Sequence, residues 1–205
     1  MALTGWDFEI KPANIDETPH AGEAPGEYVL RLAEAKARQA GSTAQAGQLV
    51  LAADTTVADG SMLLGKPGDA GEAAGMLERL RGRTHQVYTA LALLDAASRR
   101  LLSDLCVSQV PMRSYSNDEM SAYIASGDPL DKAGAYAIQH SGFNPVEHFG
   151  GCFASVMGLP LCHLVRITRK LGLAFPADHV PKACQAALSY TCPIHERVLG
   201  GENVG

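Results

Sequence analysis

The chain has 205 residues, a formal net charge of −5, 46% hydrophobic residues and 19% charged residues. This length allows one domain with a sizeable core plus a small appendage, and no run of about 18 apolar residues predicts a membrane span. Neither a basic cluster nor a secretion signal is visible, and the five cysteines are odd in number without short paired spacings. We therefore predict a cytoplasmic protein with reduced thiols that binds neither nucleic acid nor membranes.

The N-terminal part of the chain predicts a short strand followed by a long helix. Residues 2–5 are typical of a last helical turn ended by glycine, and residues 6–10 alternate as a half-buried strand does. From Pro25 onward, apolar residues recur at helical spacing until Gly41, which predicts about four turns. Lys36 lies at the edge of the apolar face of this helix, so it is either a solvated surface lysine or a functional cation.

The stretch from residue 49 to residue 67 carries the strongest functional signal. An apolar run over 49–53 predicts a buried strand that ends at Asp54, and a turn at 59–60 returns the chain to Lys66. Ligands of α/β proteins gather at the carboxyl ends of strands, so Asp54, the Thr55 hydroxyl and Lys66 suggest a site for a metal and a phosphate. The alternative is an aspartate that caps a turn, followed by an ordinary surface loop.

The second half of the chain alternates further helices and strands. Capping-box patterns and alternation predict a helix from 69 to 82, an antiparallel strand pair over 84–94 and 101–112, a helix opened by residues 116–119, a weak strand over 143–149 and a closing helix over 161–171.

Two segments remain open on local pattern alone. Residues 128–139 combine small and charged residues, which is typical either of backbone that approaches a ligand or of a plain loop; Lys132 and Gln139 are the candidate substrate contacts, the latter through its side-chain amide. Residues 173–205, including Pro176, show no sustained period and predict an appendage or a frayed tail. The cysteines and histidines there, His179, Cys184, Cys192 and His195, match no common zinc spacing.

Five ordered segments resemble the Maf family of nucleoside triphosphate pyrophosphatases. They are L-A-A-D-T-T-V, L-L-G-K-P, M-L-E-R-L-R-G-R-T-H-Q-V-Y-T, Y-I-A-S-G-D-P-L-D-K-A-G-A-Y-A-I-Q and S-V-M-G-L-P-L. Together they span roughly residues 5–172, so the resemblance implies a Maf-like domain over residues 1–172 and a separate appendage or tail over 173–205.

The resemblance implies an α/β fold with two lobes around a long mixed sheet, related to that of inosine triphosphatases, with the active cleft between the lobes. It also implies hydrolysis of a nucleoside triphosphate to the monophosphate and pyrophosphate with Mg²⁺ or Mn²⁺, and a homodimer. By position, Asp54 matches the catalytic aspartate, Lys36 and Lys66 match cleft lysines, and Glu17 matches an acidic cleft residue, which makes Asp54 and Glu17 the candidate metal ligands.

The resemblance also indicates a branch of the family and one departure from it. Thr55 and Gln139 match positions linked to substrate choice and look like the branch that prefers dTTP and UTP. The family opens with a strand and a Ser-Pro-Arg-Arg loop that grips the triphosphate, whereas this chain starts after that point. Loss of such a clamp implies weak activity, and the alternatives are therefore a nucleotide-binding relative that acts in restraint of cell division, or inosine triphosphatase chemistry.

Overall fold

The computed structural model describes residues 1–173 and 179–205. Within them lie four strands, β1 Leu49–Asp59, β2 Met62–Leu64, β3 Thr84–Asp95 and β4 Leu101–Pro111. The α-helices of the same residues are α1 Pro25–Gly41, α2 Ala70–Leu80, α3 Asn117–Ala125, α4 Phe153–Val156, α5 Leu161–Lys170, α6 Val180–Leu188 and α7 His195–Leu199. Short 3-10 turns cover Ala2–Thr4, Asp128–Asp131 and Ala133–Ala135. None of the described helices combines the length and the apolar character that a membrane crossing requires.

The strands form one sheet in the order β2-β1-β3-β4. The α/β class is confirmed, and each pairing among the described residues is antiparallel where the resemblance implied a mixed sheet. Short turns join β1 to β2 and β3 to β4, and a turn of that length allows only antiparallel pairing. In the central register, Asp54 pairs with Ala90 and Thr55 pairs with Thr89.

The two faces of the sheet pack against different helices. Successive side chains of a strand point to opposite faces. Accordingly, Val50 and Ala52 pack in the cluster beneath α1, while Leu51 and Ala53 pack in the cluster beneath α5. The α1 face and the α5 face of this part of β1 therefore carry separate cores.

The prediction that a strand ends at Asp54 is wrong. β1 continues to Asp59 and remains paired with β3 as far as Ala58, opposite Gln86, so Asp54 lies in the middle of a strand. The polar run that suggested an end includes Thr55 and Thr56, and β-branched threonine favours extended backbone.

Two other strands were also predicted wrongly. Residues 6–10 form no strand, and two of their apolar side chains are exposed, Phe8 by 53% and Ile10 by 81%. Over residues 143–149 the structure contains a single bridge, from Val146 to Met112, because Asn144 and His148 adopt positive φ angles of 43° and 52° that interrupt a strand.

A buried ion cluster joins β4 to α5. The Arg166 guanidinium binds Asp104 in a fork, with Nε 2.7 Å from Oδ2 and Nη2 2.6 Å from Oδ1. His163 Nδ1 lies 3.5 Å from Asp104 Oδ2. Burial raises the pKa of Asp104, but the neighbouring His163 and the Arg166 guanidinium outweigh it and lower that pKa to about 2. The cluster therefore holds an ionised carboxylate inside the fold.

The C-terminal part of the described chain packs on α5. Both α6 and α7 contact this helix, and Val180 and Val198 are buried. Pro176 lies outside the described residues. The described part of this segment thus contains two packed helices that the sequence pattern did not predict, while the domain boundary at residue 172 stays a prediction.

Candidate functional site

The side chain of Lys36 lies between two carboxylates. Its Nζ is 2.5 Å from Asp54 Oδ1 and 2.7 Å from Glu17 Oε1. Lys36 is on α1, Asp54 is in the middle of β1, and Glu17 is in the irregular segment before α1, so three parts of the chain meet at one ammonium group. The Tyr28 hydroxyl donates a hydrogen bond to the backbone oxygen of Glu17 at 2.9 Å, which fastens that segment to α1.

Asp54 is a carboxyl group with an unusual titration. Its side chain is only 9% exposed. Burial raises the pKa of Asp54, and the hydrogen bond and positive charge of Lys36 lower it by less, so the net shift is upward. Because its ionised form is destabilised relative to a carboxylate in water, Asp54 accepts a proton more readily than an ordinary aspartate does.

Lys36 remains a cation in this setting. Burial lowers the pKa of Lys36, but the hydrogen bonds to Asp54 and Glu17 outweigh it, and the pKa is raised overall. With both carboxylates ionised, the three groups carry one net negative charge, which attracts a metal ion or positions the ammonium opposite an incoming phosphate.

A second ion pair near this cluster was missed by the sequence analysis. Arg31, five residues before Lys36 on α1, binds Glu23 in a fork, with Nε 2.6 Å from Oε1 and Nη2 2.7 Å from Oε2. The hydrogen bond from Arg31 lowers the pKa of Glu23 to about 2, and the guanidinium charge also lowers the pKa of Asp54 slightly.

An open cleft of about 240 Å³ lies against the α5 side of β1. It is lined by the four other predicted site residues, Thr55, Lys66, Lys132 and Gln139. The remaining wall is mainly apolar, which suits a flat ring, and its side chains include Val57, Val87, Tyr136, Ile138, Val156 and Met157.

The two lysines of the cleft differ in their surroundings. Lys132 Nζ binds Asp131 Oδ1 at 2.6 Å and the backbone oxygen of Asp128 at 2.8 Å. Lys66 is exposed and forms no ion pair with a described residue. Lys66 is therefore the cation that can bind an anion without first giving up a partner.

A backbone hydrogen bond connects the segments that carry these lysines. Gly134 N–H donates to the oxygen of Gly65 at 3.0 Å. Gly134 has φ +71°, and a Cβ at this position would lie 3.0 Å from the Val57 side chain, so both the backbone conformation and the space favour glycine. Lys66 and Lys132 thus flank a single fixed junction.

The predicted site residues fall into two groups. Glu17, Lys36 and Asp54 meet on the α1 face, and the cleft residues meet on the α5 face. β2 pairs only with Val57, Ala58 and Asp59, so within the described residues the backbone edge beside Asp54 and Thr55 has no strand partner on that side. The two groups therefore lie on opposite faces of β1, beside its free edge.

The first group has donors that fit a divalent metal. Carboxylate oxygens are the ligands that Mg²⁺ prefers, and Mg²⁺ usually takes one or two of them while keeping water or substrate phosphates in its other positions. Asp54 and Glu17 supply two carboxylates that share one ammonium, and no set of three metal-binding side chains occurs within residues 1–173 and 179–205. That finding also gives no support to a zinc site in the C-terminal segment, although it includes His179 and His195.

These features define an α/β protein whose sheet carries an ammonium-bridged pair of carboxylates beside a cleft with lysines, an arrangement suited to a phosphorylated small molecule. The comparison with family models makes the assignment specific: the model described as "Maf-like protein" matches residues 1–171. The chain belongs to the Maf family.

Relatives in the same family have closely related sequences. A protein named dTTP/UTP pyrophosphatase from Myxococcus xanthus is 52% identical over 169 residues, which cover 82% of this chain and 84% of the relative. A relative of the same name from Syntrophus aciditrophicus is 40% identical over 179 residues, or 87% of each chain. A third, from Citrifermentans bemidjiense, is 40% identical over 172 residues, covering 84% of this chain and 89% of the relative.

Proposed function

We propose that this protein hydrolyses nucleoside triphosphates to the monophosphate and pyrophosphate, with dTTP and UTP as its preferred substrates. Membership of the Maf family and the printed names of its relatives support the reaction. The observation that carries the proposal in this chain is the buried Asp54 carboxyl, held by Lys36 at 2.5 Å and shifted to a higher pKa, across one strand edge from the cleft.

In the proposed reaction the base lies in the cleft, near Thr55 and Gln139, and the phosphates extend past Lys66 and over the free edge of β1. Water attacks the α-phosphorus. Asp54 orients that water and accepts its proton, which its raised pKa favours, while Lys36 and Lys66 stabilise the negative charge that builds up on the phosphate oxygens.

Asp54 and Glu17 would hold a divalent metal, which when bound polarises phosphate oxygens and neutralises their charge. The structural support is limited to the type and number of oxygen donors around Lys36. Lys132, which two aspartates hold in place, is proposed to contact the nucleotide from the opposite wall of the cleft.

The reaction is tested with dTTP, Mg²⁺ and ¹⁸O-labelled water. Attack on the α-phosphorus places the label in dTMP and leaves pyrophosphate unlabelled, whereas attack on the β-phosphorus places it in pyrophosphate. We expect labelled dTMP, detected by mass spectrometry, and no inorganic phosphate.

The role of Asp54 is tested by Asp54→Asn, which we expect to lower kcat by about 10²- to 10⁴-fold, the usual contribution of general base catalysis. Asp59→Asn is the matched control, since Asp59 ends the same strand and pairs with Arg79 and Arg83 away from the cleft. Equal activity of the two variants would remove Asp54 from its proposed role. Nucleotide binding without any turnover in the unmodified chain would instead favour the non-enzymatic alternative.

A homodimer, a cytoplasmic location and the lack of a nucleic-acid partner are further proposals. The first rests on the family resemblance, and the other two rest on a net charge of −5 and on the sequence pattern. Sedimentation analysis of the purified chain tests the dimer directly.

A further inference from the structure

A buried threonine lies directly behind the proposed base-binding residue. Thr89 is fully buried on β3, opposite Thr55 in the register of the sheet. Its Oγ1 is 2.9 Å from Thr55 Oγ1 and 2.8 Å from the backbone oxygen of Ser155. The same Ser155 oxygen accepts the Gly158 N–H at 2.8 Å, so its position is fixed by the turn that follows α4.

These distances decide which hydroxyl donates to which. A carbonyl oxygen can only accept a hydrogen bond, so the single proton of Thr89 goes to Ser155. The hydrogen bond between the two threonines then requires the proton of Thr55. With its proton directed into the protein, the Thr55 hydroxyl has only lone pairs left for the cleft that it lines.

We propose that Thr89 is a positioning residue that makes Thr55 a hydrogen-bond acceptor, and that Thr55 thereby selects a pyrimidine base that carries a hydrogen on N3. The inference rests on the proposed function and names the chemistry by which that site reads its substrate. Uracil and thymine carry a hydrogen on N3, whereas cytosine has a lone pair at N3, which would face the lone pairs of Thr55. The lone pairs of Thr55 also repel phosphate oxygens from this end of the cleft, so the phosphates bind near Lys66 and Lys132.

Replacing Thr89 by valine tests this directly, because valine has nearly the same shape but no hydroxyl. In Thr89→Val the Thr55 hydroxyl loses its internal acceptor and can rotate its proton toward the cleft. Thr89→Ser keeps the hydroxyl and is the matched control. We expect Thr89→Val to lower the ratio of kcat/KM for UTP over CTP by about tenfold, on the order of one net hydrogen bond, and Thr89→Ser to keep the ratio of the unmodified chain. The ratio does not depend on the fraction of folded enzyme.

A second measurement separates this inference from the proposed function. The dissociation constants of the non-hydrolysable α,β-methylene analogues of UTP and CTP are measured by calorimetry for the same three proteins. A UTP preference that Thr89→Val abolishes and Thr89→Ser retains supports the role of Thr89, even if no turnover is found and the proposed hydrolysis is wrong. A binding preference that is absent from the unmodified chain, unchanged in Thr89→Val, or equally lost in Thr89→Ser would overturn the inference, whether or not the enzyme is active.

Discussion

Asp54 and Asp104 belong to the same sheet and are equally hidden from solvent, with side-chain exposures of 9% and 10%. Their titrations nevertheless shift in opposite directions: the pKa of Asp54 is raised, and that of Asp104 is lowered to about 2. Burial raises the pKa of both carboxyl groups, so the difference comes from the side chains that contact them. One flexible lysine does not compensate the burial of Asp54, whereas the planar fork of Arg166 together with His163 more than compensates that of Asp104. The carboxylate with fewer partners keeps the capacity for proton transfer.

The largest expected effect of this difference is on stability at Asp104. Asp104→Asn leaves the Arg166 guanidinium, only 4% exposed, without its counter-charge, so we expect a loss of about 3–5 kcal/mol in the free energy of unfolding, measured with urea. Glu202→Gln is the control, since the side-chain pair of Glu202 with Arg197 is more than half exposed and its loss should cost at most about 1 kcal/mol. Equal losses in the two variants would contradict a structural role for the buried cluster.

Acid should remove the contribution of Asp104 over a defined range of pH. Its folded-state pKa is below its unfolded value, so the stabilisation is complete above about pH 4 and is lost as the pH falls toward about 2. We expect this group to account for about 2–3 kcal/mol of the acid sensitivity. Urea unfolding at a series of pH values should therefore show a weaker pH dependence in Asp104→Asn; an unchanged slope between pH 4 and pH 2 would refute the assignment.

The same substitution at Asp54 should change stability much less. In Asp54→Asn the Lys36 ammonium keeps Glu17 as a partner and is 20% exposed, so no isolated buried charge remains. Because the raised pKa of Asp54 indicates that ionisation of this carboxyl opposes folding, its removal should change the free energy of unfolding by about 1 kcal/mol or less. A loss as large as that in Asp104→Asn would show that the two carboxylates have the same structural role.

The final prediction concerns the pH profile of the proposed reaction. Lys36 lowers the pKa of Asp54, so Lys36→Met should raise that pKa further and shift the acid limb of kcat/KM for dTTP to higher pH. Lys66→Met is the control. Lys66 has no ion pair with a described residue, and it lines the cleft on the α5 face, whereas Lys36 and Asp54 meet on the α1 face. This variant should weaken binding without moving the acid limb. An identical shift in both variants would argue against a specific pair of Lys36 and Asp54.

Much of the fold could be predicted from local pattern. Helix α1 has its proline at the start and its glycine at the end, and α3 has the capping box at Ser116, so both were predicted and are confirmed. The β3–β4 pair was predicted from alternation. Helices α6 and α7 were not, because short helices depend on packing against a neighbour, here α5, more than on their own pattern.

The residues of the candidate site could be predicted from the sequence, but their positions relative to one another could not. The pattern put Asp54 and Thr55 together at a strand end, whereas an uninterrupted strand places them on opposite faces. The register that brings Thr89 behind Thr55 depends on two strands 34 residues apart, and the partner of Asp104 lies 62 residues further along the chain. Arg166, a charged residue between the apolar Val165 and Ile167 of α5, was a local hint of that cluster.

The hydrogen bond from Gly134 to Gly65 has a mechanical consequence for the cleft. This hydrogen bond connects the loop of Lys132 to the loop of Lys66. We therefore expect a displacement of either loop to move the other. An anion captured by Lys66 would thereby slow amide hydrogen exchange at Gly134, whose N–H donates that hydrogen bond.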